Sequence, residues 1–219
     1  MAFSERRFTA QDGLSLYFRD YGAERRDKTS VLCLAGLTRN SNDFSLLAEK
    51  LSSDRRVICP DYRGRGKSEY DSDWRNYTSL TYINDIRHLL ISLNLDRVFV
   101  IGTSMGGLMT MGMGAAMPTT LAGALINDVG PVIEKRGLDK ILAYMQEGAS
   151  GFDDWETAAA YLRDRFPSLP AETNEDWLWI ARGTFQERAD GRIEHNWDYN
   201  LIRPILNETE EQELWPLFL

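Results

Sequence analysis

Four short, uninterrupted apolar runs, at residues 31–35, 57–59, 98–101 and 122–126, constrain the fold of this chain more than any other feature. Each is closed within two residues by Gly, Pro or Asp. Runs this short and this continuous are what parallel strands look like when both faces of their sheet are covered. Helical spacing fills the gaps: Phe44, Leu47 and Leu51 form one stripe, and Ile83, Ile86, Leu90 and Leu93 another. Strand and helix in alternation predict an α/β fold, a mostly parallel sheet with helices on both faces. Ahead of it, residues 5–21 read as a hairpin. Leu14, Leu16 and Phe18 alternate with Ser15, Tyr17 and Arg19, the pattern of a half-buried strand, after the turn residues Gln11-Asp12-Gly13.

The character changes at Gly130-Pro131. From there to about residue 200 no buried-strand run occurs, and four tryptophans (Trp155, Trp177, Trp179 and Trp197) accompany a helical tone. Three segments are expected: a core over residues 1–130, a helical lid over 131–200, and a return segment over 201–219. The lid's rings would pack its own core, with one or two facing a pocket. With 219 residues, the chain can bury a full core without disulfide or metal support.

A net charge of −8 argues against a nucleic-acid partner, which would need a basic face. The pairs Arg6-Arg7, Arg25-Arg26 and Arg55-Arg56 are too short and scattered to build one. Cys33 and Cys59 each sit inside an apolar run and read as buried free thiols of a reducing compartment. The N-terminus carries no apolar signal region and no run reaches membrane-spanning length, so a soluble cytoplasmic protein is expected. The oligomeric state is not legible.

The chemistry concentrates at Gly102-Thr103-Ser104-Met105-Gly106, a Gly-x-Ser-x-Gly pattern with a strand run before it and a helical segment after it. Small residues are needed there because the chain must turn sharply from strand to helix, straining the serine and exposing its hydroxyl. The helix N-terminus then directs its N–H groups to where negative charge develops. A second glycine turn, Ala35-Gly36-Leu37, follows the first apolar run and can supply another backbone donor. A third loop, Asp61-Tyr62-Arg63-Gly64-Arg65-Gly66-Lys67-Ser68, fits neither phosphate-binding spacing and reads as a structural border of the site.

These three motifs in this order, with Asn127-Asp128-Val129-Gly130-Pro131 after the next strand, resemble the α/β-hydrolase superfamily, in its lidded esterase and lactonase-like branch. The resemblance runs from about Phe8 to the end of the chain. It implies a sheet with one antiparallel strand near its start, Ser104 as nucleophile, and the Leu37 and Met105 N–H groups as oxyanion donors. Ala35 departs from the histidine many members carry before Gly36, a position that is not the general base. A serine nucleophile argues against the branches that open haloalkanes and epoxides with an aspartate. The implied activity is hydrolysis of a small carboxylic ester or lactone through an acyl-serine, with a small-molecule substrate and no cofactor or metal.

A serine nucleophile needs a histidine base and an orienting carboxylate. The chain has two histidines. His88 lies opposite the apolar stripe of its helix and reads as a surface residue. His195 follows Ser104 in the order the family uses, but in a setting that looks like the exit from the lid, which makes it a poor base. Asp128 ends a strand on the active side and is either the acid or a brace at the lid hinge. The family's last strands and histidine loop have no counterpart before residue 219. The expectation is therefore a partial chain of a longer hydrolase, weakly active and carrying a bare sheet edge. The alternative is a catalytically incomplete, small-molecule-binding module.

Overall fold

The computed structural model describes residues 3–147, 151–207 and 214–218. Its centre is a six-stranded sheet built from β1 (Phe3–Thr9), β2 (Ser15–Tyr21), β3 (Ser30–Leu34), β4 (Val57–Pro60), β5 (Val98–Thr103) and β6 (Leu121–Asn127). The spatial order is β1-β2-β4-β3-β5-β6. Strand β2 is antiparallel to both β1 and β4, and all other pairings are parallel. Helices α1 (Ser45–Leu51), α2 (Ser79–Ser92) and α3 (Met105–Ala116) connect the strands. Among the described residues no helix is long and apolar enough to cross a membrane.

The continuous apolar runs are explained by where alternate residues go. Leu32, Leu34, Ile58, Val98 and Val100 enter one core cluster, with Ile86, Leu89 and Leu90 of α2 and Met109 and Met113 of α3. Val31, Cys33, Val57 and Cys59 enter a second, on the opposite face, with Phe44 and Ala48. Each strand therefore feeds two cores, and period-2 alternation disappears from its sequence. Both thiols are free and buried, and burial pushes the Cys59 thiol up.

Three expectations need correction. Strand β2 is not half-buried: Leu16, Tyr17 and Phe18 are all buried, and the Tyr17 ring lies beneath the Lys67 ammonium. In the α1 region, Phe44 points inward from a 3₁₀ turn preceding the helix. The next inward residue is Ala48, which leaves Leu47 exposed. Strand β6 is not covered on both faces. It is the last strand of the sheet among the described residues, and Leu125 is 48% exposed.

Beyond β6 come α4 (Lys135–Gln146), α5 (Trp155–Arg165) and α6 (Asn174–Thr184). Asp154 caps α5, and Thr173 with Asp176 forms a capping box on α6. A small antiparallel hairpin follows, β7 (Phe185–Glu187) and β8 (Ile193–His195), which sequence periodicity does not show because three-residue strands are too short to carry it. Trp177 packs the local core with Ala158, Leu162, Ala181, Phe185 and Ile193, whereas Trp197 joins the main core and Trp179 is exposed. This region docks on loops at the carboxyl ends of β3 and β4. Asn40 donates to the Gly183 carbonyl (2.9 Å), Gly66 N–H to Asn196 (2.9 Å) and Asp198 N–H to Gly64 (2.8 Å). Short helices α7 (Ile202–Asn207) and α8 (Trp215–Phe218) complete the described chain, and Leu214 N–H donates to the Pro131 carbonyl.

Candidate active site

Ser104 stands between the last residue of β5 and the first of α3, with φ 52° and ψ −117°. A left-handed backbone is uncommon for a residue with a Cβ, and its strain must be held by the surroundings. Three backbone bonds hold it: Ser104 N–H donates to the Asn127 carbonyl (2.9 Å), and its own carbonyl accepts from Gly107 (2.8 Å) and Leu108 (3.1 Å). The turn leaves no room for side chains on its flanks. A Cβ on Gly102 would lie 2.3 Å from the Gly106 carbonyl oxygen, and one on Gly106 would lie 2.0 Å from that of Leu34. The Ser104 hydroxyl does not cap α3 and makes no hydrogen bond among the described residues. The side chain is half-buried, at the positive end of the helix.

The glycine turn after β3 comes up beside it. A Cβ on Gly36 would meet the Ser104 Cβ at 3.8 Å. Leu37 is thereby brought to the same end of the sheet as Met105, the first residue of α3, whose N–H has no acceptor within the helix. The loop of residues 61–68 is tied to this centre. The buried Asp61 carboxylate accepts from Ser41 N–H (2.7 Å) and Lys67 N–H (2.9 Å), and desolvation raises its pKa. Arg65, in the same loop, is fully buried and reaches both Leu37 and Met105. Sequence reading places this loop at the border of the site but misses the arginine. The only available signal is a charged residue between two glycines, which is as common in solvated turns.

Asp128 follows β6 directly. Thr103 pairs with Asn127 in the sheet, so Asp128 emerges next to Ser104. It too has a left-handed backbone, φ 57°, with an exposed side chain that makes no hydrogen bond or ion pair among the described residues. His195 is enclosed by aromatic rings. It lies on β8, 2% exposed, with its ring 5.0 Å from those of Phe185 and Trp197 and 5.4 Å from Tyr144. Its Nδ1 is 3.3 Å from the Tyr144 hydroxyl. Desolvation lowers its pKa to about 4, against a smaller upward pull from Glu194. It bonds to neither Ser104 nor Asp128. His88 is half-buried on α2. The structure thus brings Ser104, Leu37, Met105 and Asp128 to the same end of the sheet, and among the described residues neither histidine hydrogen-bonds to Ser104 or Asp128.

The arrangement can present a strained hydroxyl, backbone donors and a neighbouring carboxylate to one reacting group. Residues 29–178 match the family model for the alpha/beta hydrolase fold. The chain is 37% identical over 147 residues to a 3-hydroxybutyrate-oligomer hydrolase of Cupriavidus necator, covering 67% of this chain and 50% of that protein. It is 31% identical over 142 residues to a 2-(acetamidomethylene)succinate hydrolase of Mesorhizobium japonicum, covering 65% and 50%. It therefore spans about half the length of these curated relatives. A crystal structure of an alpha/beta hydrolase from Novosphingobium aromaticivorans superimposes with a TM-score of 0.92 at 38% identity, over all of this chain and 78% of that one. By its sheet order, its strained strand-to-helix turn and its family match, this chain belongs to the α/β-hydrolase family.

Proposed function

We propose that this chain carries the nucleophile of a serine hydrolase that cleaves a small carboxylic ester or lactone through an acyl-Ser104 intermediate. One observation carries the reading: Ser104 has a strained left-handed backbone at the β5–α3 junction, and its hydroxyl serves no structural bond. A strained serine with an uncommitted hydroxyl is the arrangement a nucleophile requires. In the proposed reaction Oγ attacks the carbonyl carbon as a base takes its proton. The oxyanion receives hydrogen bonds from the Leu37 and Met105 N–H groups. Collapse expels the alcohol, and water releases the acid by the same route.

Asp128 is the carboxylate we assign to orienting the base, because it emerges beside Ser104 with its side chain exposed. We do not assign His195 as the base, since it is enclosed by rings and, among the described residues, hydrogen-bonds to neither residue. The name of the Cupriavidus necator relative supports the substrate class, because an oligomer of a hydroxy acid is joined through ester bonds. Residues 131–200 would act as the lid, given their docking on the loops at the carboxyl ends of the strands. Two buried free thiols favour a reducing, cytoplasmic setting.

A second reading, a small-molecule-binding module without turnover, is favoured by the lack, among the described residues, of any hydrogen bond from either histidine to Ser104. A fluorophosphonate separates the two. In imidazole buffer, the enzyme reading expects a stoichiometric adduct located on Ser104 by mass spectrometry and lost in Ser104→Ala. An unlabelled, folded wild-type chain would leave only the binding module.

A further inference from the structure

We propose that Arg65 is a positioning residue for the oxyanion site, a buried cation that fixes the backbone at Leu37, packs against the Met105 side chain and directs positive potential at the developing charge. The proposal rests on the serine-hydrolase reading above and deepens it. Two arginines two positions apart in the loop of residues 61–68 are treated differently by the fold. Arg63 is neutralised by three carboxylates, Asp12, Asp71 and Asp85, at 2.6–2.7 Å. Arg65, with 0% exposure, has no ion pair among the described residues. Its Nε donates to the Leu37 carbonyl (2.8 Å) and its Nη2 approaches the Met105 Sδ (3.6 Å). Its Nη1 donates to the Arg63 carbonyl (2.9 Å) and the Tyr82 hydroxyl (2.8 Å). The guanidinium also lies over the rings of Tyr82 (4.7 Å) and Tyr62 (5.8 Å).

A buried cation without a carboxylate is costly, and carbonyl dipoles and ring faces offset only part of that cost. A chain selected for stability alone would pair it, as it pairs Arg63. What Arg65 touches identifies its use: Leu37 and Met105 are the residues assigned as oxyanion donors, and one planar fork spans both. The bond to the Leu37 carbonyl fixes the backbone just after the Leu37 N–H. The unpaired charge favours an anion that exists in the transition state and not in the ester ground state, which is the condition for raising a rate constant without tightening binding. Gly64 and Gly66, at φ 74° and 57°, flank Arg65 and allow the loop to turn it inward.

The test is the phosphonylation of Ser104 by a fluorophosphonate in imidazole buffer, resolved into the maximal rate constant and the half-saturating concentration, for wild type, Arg65→Met, Arg65→Lys and Tyr82→Phe. Arg65→Met should lower the rate constant about 10- to 100-fold while the half-saturating concentration stays within about twofold. Arg65→Lys keeps the charge but lacks the fork. It should fall in between, and it carries the test if the methionine variant does not fold. Tyr82→Phe removes a partner remote from the donors and should change the rate less than threefold. Folded Arg65 variants labelled at the wild-type rate overturn the proposal alone. A folded wild-type chain that is not labelled overturns the serine-hydrolase reading and the proposal with it.

Discussion

The Ser104 N–H donates to the Asn127 carbonyl at 2.9 Å, a bond that joins the last residue of β6 to the residue just past the end of β5. Its consequence is that Asp128, the next residue, leaves the sheet beside Ser104 with a left-handed backbone of its own. Two adjacent strands thus end in two strained polar residues. Strain of this kind is tolerated where a side chain must be aimed.

If Asp128 orients the base, an imidazole from solution should be able to act between it and Ser104. The chain's own histidines make no bond to either residue. Phosphonylation of Ser104 should therefore accelerate with added imidazole, by about 10-fold at high concentration, and Asp128→Asn should lose that acceleration. Asparagine tolerates the left-handed backbone, and the exposed Asp128 side chain makes no bond among the described residues, so stability should change by less than about 0.5 kcal/mol. Equal acceleration in the variant would return Asp128 to the role of a hinge brace.

The glycines of the elbow are separable by what surrounds them. A methyl group on Gly106 would lie 2.0 Å from backbone oxygen, which cannot move away as a side-chain tip could. Gly106→Ala should destabilise the fold by more than about 3 kcal/mol in urea titration. Gly137, exposed in α4 with nothing within 4 Å of where a methyl group would stand, should behave oppositely. Gly137→Ala should stabilise by about 0.5 kcal/mol through the unfolded chain's lost entropy. A mild Gly106→Ala would mean that β3 and α3 pack less tightly than described.

His195 gives the fold a pH dependence of known sign. Its pKa is near 6.5 when unfolded and about 4 when folded, because the ring site disfavours the cation. Above pH 6.5 both states are neutral and the contribution is complete. As pH falls from 6.5 toward 4 the unfolded chain binds a proton that the folded one refuses, and stability declines by about 2 kcal/mol by pH 5. His195→Phe should remove that slope between pH 7 and 5 and leave Ser104 labelling unchanged. A labelling rate that collapses in His195→Phe would instead make His195 the base.

Legibility followed periodicity and chemistry. The strand runs, the Gly-x-Ser-x-Gly turn and the hairpin were readable because burial on two faces, a steric limit and an Asp-Gly turn each leave a local mark. Phe44 and Leu47 misled because a 3₁₀ turn shifts the helical phase, and hydrophobicity alone does not report it. Arg65 was hidden for a different reason. Its environment is assembled from Leu37, Tyr82 and Met105, which come from three other parts of the chain. No window of sequence contains them together.

The outer edge of β6 bears on behaviour in solution. No strand pairs with it among the described residues, Leu125 is 48% exposed, and Val132 is exposed nearby in sequence. An unpaired edge with apolar side chains is a template for a second edge, and neither charge nor proline blocks residues 121–127. The chain should therefore associate with rising concentration despite its net charge of −8, and more strongly at high salt, where that charge is screened. Leu125→Lys places a charge on the edge without touching Ser104. It should shift association in sedimentation velocity to about tenfold higher concentration while leaving the rate of Ser104 labelling intact. A wild-type chain that stays monomeric at millimolar concentration and high salt would show that the β6 edge is covered.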